Sequence, residues 1–117
     1  MGKIISIYKG EDIIVGEVKL ADTFFSRMFG LMPAKTLDEN KGILLKPCKQ
    51  VHTFNMSFAI DVIFLSKDNV IVHIENNFIR NKVTKYYKEA NKILEITSGT
   101  AEKHKLSVGD LLSINLN

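Results

Sequence analysis

Apolar and polar positions alternate in short runs along most of this chain, and turn residues break the runs at short intervals. A period of two is the mark of half-buried strands. Lys3 to Tyr8 and Ile13 to Val18 are β-branched runs separated by Lys9-Gly10-Glu11-Asp12, a hairpin pattern. Ile60 to Leu65 and Val70 to Glu75 flank Lys67-Asp68-Asn69, whose asparagine tolerates the positive φ of a tight turn. Lys92 to Thr97 and Leu111 to Leu116 are further strands, and Ser107-Val108-Gly109-Asp110 is the turn before the last. Ile43-Leu44-Leu45, stopped by Pro47, and Val51 to Phe54 are shorter strand segments. Thr100 to Lys105 suits one helical turn.

Only one stretch has a sustained helical period. Ala21, Phe24, Phe25, Met28 and Met32 recur at intervals of three and four and make a single apolar stripe. Asp22 or Thr23 can cap its start, Gly30 can end it in a left-handed conformation, and Pro33 forbids continuation. The expected helix covers residues 22 to 30, and 33 to 41 follow as loop. The fold class is therefore α+β and mostly β. About seven to eight short strands form a curled antiparallel sheet or small barrel that the one main helix plugs or flanks.

Composition narrows this further. At 117 residues, 45% hydrophobic and 25% charged, the chain fits one globular domain spanning residues 1 to 117. No stretch approaches the roughly 20 apolar residues of a membrane helix, and the amino-terminal apolar run is too short for export. Gly2 with Ser6 fits a myristoylation pattern formally, but an expected strand begins at Lys3. Cys48 is the only cysteine, so no internal disulfide can form, and a reducing, cytoplasmic setting is expected. The net charge of +3 is uneven. Arg80, Lys82, Lys85, Lys88 and Lys92 against Glu89 give residues 80 to 92 a net +4, leaving −1 elsewhere. With Tyr86 and Tyr87 among them, these cations could meet phosphates. In the absence of any nucleic-acid motif they are read as an exposed, mobile loop without specific nucleic-acid binding.

Strand parity isolates the candidate chemistry. Asp61 shares a face with Ile63 and Leu65, and Glu95 shares one with Ile93 and Thr97. A carboxylate on an apolar face needs a partner or titrates to neutral. Arg27, at the margin of the helical stripe, is the cation expected to reach at least one of them as a brace from helix to sheet. Arg27→Ala is then expected to be strongly destabilising and Asp61→Asn milder. His52 lies between Val51 and Thr53 with Phe54 and Met56 close by, suiting a semi-buried structural histidine or a ligand contact. His73 and His104 look incidental. Cys48, His52 and Met56 fall four apart, which invites comparison with a blue-copper loop, but that site needs a histidine upstream of His52 and none exists. A Cys48–His52 nucleophile pair and paired glycosidase acids are the other chemistries considered. No metal and no cofactor is expected.

Taken in order, several motifs resemble the family called domain of unknown function 192. They are Arg27-Met28-Phe29-Gly30-Leu31-Met32, Gly42-Ile43-Leu44-Leu45, and Cys48-Lys49-Gln50-Val51-His52-Thr53-Phe54-Asn55-Met56. Ile60-Asp61-Val62-Ile63-Phe64-Leu65, Leu94-Glu95-Ile96, Gly99 and Gly109-Asp110 complete the set, covering residues 21 to 116. The resemblance implies a small β-rich fold with one helix and no established activity. It also matches Arg27, His52, Asp61 and Glu95 to the family's polar pattern. Members often carry an export signal, and often have prolines where Ala59 and Ile79 stand here, a departure that bears on loop shape rather than on the core. The expected function is a non-enzymatic binding or accessory domain with Arg27, His52, Asp61 and Glu95 facing a small polar or anionic ligand. The alternative is a small hydrolase or transferase using His52 with Asp61 or Cys48.

Overall fold

The structure is a computed structural model that describes residues 4–21, 37–51, 58–79 and 82–116. The helix expected over residues 22 to 30 lies outside them, as do Arg27, His52 and most of the strand expected from Val51 to Phe54. Among the described residues, seven strands form one sheet: β1 (Ile4–Lys9), β2 (Asp12–Ala21), β3 (Lys41–Leu45), β4 (Ile60–Leu65), β5 (Ile71–Phe78), β6 (Lys92–Thr97) and β7 (Ser113–Leu116). A single helical turn, α1 (Thr100–Lys103), stands between β6 and β7. The spatial order is β5-β4-β6-β3-β2-β1-β7. Every pairing is antiparallel except β2 with β3, so the expected mostly antiparallel architecture holds.

The two expected hairpins form where the turn chemistry put them. Gly10 takes φ 61° between β1 and β2, and Asn69 takes φ 68° between β4 and β5. The sheet curls without closing. Residues just before β7 reach the start of β5: Ile71 N–H donates to the Asp110 carbonyl (2.8 Å), and Leu112 N–H to the Asn69 carbonyl (2.9 Å).

β4 is buried at all six positions and β6 at all but its last. Strands that read as continuous apolar runs are covered on both faces, and so are these. One core gathers Ile5, Ile7, Val18, Leu44, Ile63, Leu94 and Ile96 with Ile74 and Ile114, drawing on all seven strands, as the concave side of a curled sheet does. The other packs Ile43, Leu45, Ile60, Val62, Phe64 and Ile93 under Val51, Ala90, Cys48, Phe58 and Tyr87 on the convex side. Parity reasoning from the sequence treats the sheet as having one packed face; it has two.

Candidate functional site

Asp61 and Glu95 are both buried, at 1% and 4% exposure, but they face opposite ways. Residues paired across neighbouring strands share a face. Asp61 pairs with Ile96, whereas Glu95 pairs with Val62 on one side and Ile43 on the other. Asp61 therefore points into the concave core and Glu95 into the convex one, and the structure does not bring the two expected carboxylates together.

Among the described residues, backbone N–H groups engage both oxygens of Asp61. Its Oδ1 accepts the Asn77 N–H at 2.8 Å, and its Oδ2 accepts the N–H groups of Gly99 (3.0 Å) and Ala101 (2.9 Å). Gly99 is the N-cap of α1, with φ 95° and no side chain to cap with. The carboxylate from β4 does across space what a capping Asp does locally, satisfying N–H groups that a helix start leaves unpaired. A buried charge needs such donors, and among the described residues no cation joins them.

Glu95 has no hydrogen-bond donor among the described residues. Burial pushes its carboxyl up to about 7. A raised carboxyl carries its charge less readily, so the apolar neighbourhood of Ile43 and Val62 costs less than a full buried charge would.

The concave side carries a feature that no local sequence pattern announces. A cleft of about 430 Å3 opens between β2 and α1. Ile13, Ile14, Glu39 and Asn40 form one wall, and Thr97, Ser98, Gly99, Thr100, Lys103 and His104 the other. Both walls are pinned. Asn40 accepts the Gly16 N–H through its side-chain oxygen (2.8 Å) and the Glu17 N–H through its carbonyl (2.9 Å). On the far wall, Asp61 holds Gly99 and Ala101, Thr97 Oγ1 donates to the Asp38 carbonyl (2.9 Å), and Ser98 Oγ pairs with Asn77 Oδ1 (2.7 Å). Sequence reading passed over Glu39, Lys103 and His104 because they come from separate segments, each unremarkable by itself. Only the curl of the sheet joins them.

The remaining sequence candidates sit elsewhere. Cys48 is half-buried, and its Sγ donates to the Gln50 carbonyl at 3.2 Å. His73 is not incidental: it stacks on Tyr87 with ring centroids 4.3 Å apart, and its Nε2 lies 2.8 Å from Glu75 Oε2. The basic stretch is less loop-like than expected. Lys82, Lys85 and Lys88 are exposed, but Thr84, Ala90 and Lys92 are buried. Thr84 N–H donates to the Val51 carbonyl, Tyr87 N–H to that of Lys49, and Lys49 Nζ to those of Lys88 and Ala90. Lys92 points inward, Nζ donating to the Ser66 and Lys67 carbonyls. Burial, then repulsion from Lys46, holds its ammonium below the usual lysine range.

Among the described residues, no group of three or more His, Cys, Asp or Glu side chains is placed to hold a metal ion, and no helix is long and apolar enough to cross a membrane.

The family model of domain of unknown function 192, described as an uncharacterised ACR, matches residues 6–114. A UPF0127 protein of Thermococcus kodakarensis is 33% identical over 105 residues, 84% of this chain and 64% of its own length. A UPF0127 protein of Pyrococcus furiosus is 31% identical over 118 residues, 96% of this chain and 97% of its own. The crystal structure of a protein of unknown function from Novosphingobium aromaticivorans superposes with a TM-score of 0.81 at 21% identity, covering 94% of this chain and 83% of that one. That likeness shows the fold, and none of these names states an activity.

Proposed function

The chain belongs to the family of domain of unknown function 192, and from the geometry above we propose that it is a non-catalytic binding domain whose small polar ligand occupies the cleft between β2 and α1. The observation that carries this is the cleft itself: about 430 Å3 of open space whose far wall is fastened by a buried carboxylate. That volume falls in the ordinary range for small-molecule sites. A wall held by buried charge-assisted hydrogen bonds is preorganised, so a ligand need not order it on binding.

Asp61 enters this reading as the residue that positions the wall, and it does not touch the ligand. Glu95 serves the opposite face. Arg27, His52 and Glu95 stay in the proposal as polar candidates to be sorted by substitution. A ligand contact loses affinity with little loss of stability, and a structural group does the reverse. The hydrolytic alternative has nothing in its favour on Asp61, because both its oxygens already accept backbone N–H groups and it faces away from the cluster that contains Cys48. A cytoplasmic setting belongs to the same proposal and rests on the chain's one cysteine, which leaves no internal disulfide to form.

The test is amide chemical-shift mapping of the 15N-labelled protein against pooled amino acids, mono- and dicarboxylates and sugars at millimolar concentration. At least one pool should shift amides of residues 39–40 and 97–104 saturably, and Ile13→Trp, which fills the cleft mouth, should abolish the shifts without lowering Tm. If no pool moves those amides, the binding reading fails.

A further inference from the structure

Resting on the reading of the cleft as a binding site, we infer that its ligand is a small zwitterion with an apolar body, an amino acid or dipeptide. The groups lining the cleft divide into those already committed and those left over. Thr97 and Ser98 spend their hydroxyl protons on protein acceptors, and the Asn40 side-chain oxygen already accepts an amide N–H. The charged groups that remain for a ligand are the carboxylate of Glu39 on one side and the Lys103 ammonium on the other, with the Asn40 NH2, the Thr100 hydroxyl and the His104 ring as neutral partners beside them. Opposite charges facing one cleft would ordinarily meet. Here, among the described residues, Lys103 lies within 4.0 Å of no carboxylate, and Glu39 likewise has no ion-pair partner. A molecule carrying both an ammonium and a carboxylate can set each of its charges against its complement in the cleft.

The third chemistry is apolar. Ile13 is 47% exposed beside Ile14 at the same wall, an aliphatic surface that a hydrocarbon side chain would cover. Ligands of a single charge sign fit worse. A dicarboxylate would set a carboxylate against Glu39, and a diamine would set an ammonium against Lys103. A sugar would leave both charges without a counterpart.

The experiment compares L-leucine and L-leucyl-L-leucine with two analogues of one charge each, L-leucinamide (cation) and 4-methylpentanoate (anion), by the same amide mapping. At least one zwitterion should shift residues 39–40 and 97–104 saturably, and both analogues should bind about tenfold more weakly or worse. Glu39→Gln and Lys103→Met should each weaken the zwitterion by a similar factor at unchanged Tm, since both side chains are exposed. If leucinamide or 4-methylpentanoate binds as tightly as the zwitterions, the inference is overturned while the cleft remains a site. If neither zwitterion moves these amides at about 20 mM, the inference is overturned as well. The pooled screen then decides separately whether the cleft binds anything.

Discussion

Asp61 and Glu95 stand on neighbouring strands, one row apart, and solve the same physical problem in opposite ways. On the concave side, Asp61 collects three backbone N–H groups from two segments inside an apolar core. On the convex side, Glu95 lies between Val62 and Ile43 without a described donor, and burial holds its proton on to about pH 7. A buried acid can be fed hydrogen bonds or be allowed to go neutral. The first choice builds structure, because the donors it fixes are the wall of a cleft. The second leaves a group whose stability contribution depends on pH.

The largest effect should come from removing the organiser. Asp61→Ala strands three N–H groups, two of them at the start of α1, and should cost about 4 kcal/mol in urea unfolding. From the sequence alone, Asp61→Asn is expected to be milder than Arg27→Ala, because it removes the charge itself. With both oxygens occupied by donors, the amide NH2 must instead face an N–H, so about 2 kcal/mol should be lost. A loss below about 1 kcal/mol for Asp61→Ala would show that the contrast between the two faces is cosmetic.

Glu95 should give a smaller and pH-dependent effect. In the unfolded chain the carboxyl ionises near 4.5, and in the fold near 7. Below about pH 4.5 both states hold the proton and the group costs nothing. As pH rises from there, the unfolded state ionises first and is favoured, so stability falls until both are ionised above 7. The total is on the order of 3 kcal/mol. Glu95→Gln should remove that component of the slope and be the more stable protein, relative to the parent, at pH 8 than at pH 5. Denaturant midpoints that fall equally with pH in both proteins would contradict this.

Gly42 tests how tightly the two faces are held back to back. A Cβ at this position would lie 2.7 Å from the Glu95 carbonyl oxygen and 3.0 Å from Ile96 Cγ2. Gly42→Ala should therefore push β3 from β6 and cost about 2 kcal/mol, with no change in pH dependence.

The sequence made the strands legible where alternation and turn chemistry agreed. Ile60 to Leu65 and Lys92 to Thr97 form strands with the expected limits, and Asn69 takes its positive φ. Thr100 to Lys103 forms the expected helical turn. Parity also picked out both buried carboxylates correctly. It failed to say which side each faced, because a side-chain period of two assigns faces within a strand and says nothing about how strands register against each other. The cleft was illegible for a related reason. Glu39 precedes β3, whereas Lys103 and His104 belong to α1 and its end, and only the spatial order of the sheet makes them neighbours.

The smallest expected effect concerns Arg27, the cation expected from the sequence to brace a carboxylate. Asp61 already accepts three N–H groups, whereas Glu95 has no donor among the described residues, so Glu95 is the partner with more to gain from such a brace. An arginine at salt-bridge distance favours the charged form and would oppose the rise that burial gives the Glu95 carboxyl. A double-mutant cycle of Arg27→Ala with Glu95→Gln isolates the pair from everything else each side chain does. The coupling should stay within about 0.5 kcal/mol at pH 8, where Glu95 is mostly ionised and a brace would be strongest. The Glu95 midpoint, followed by carboxyl NMR, should be the same in the parent and in Arg27→Ala. A coupling of about 1.5 kcal/mol or more, with the midpoint rising in Arg27→Ala, would restore the brace. The convex face would then hold its acid as the concave face does, by feeding it donors.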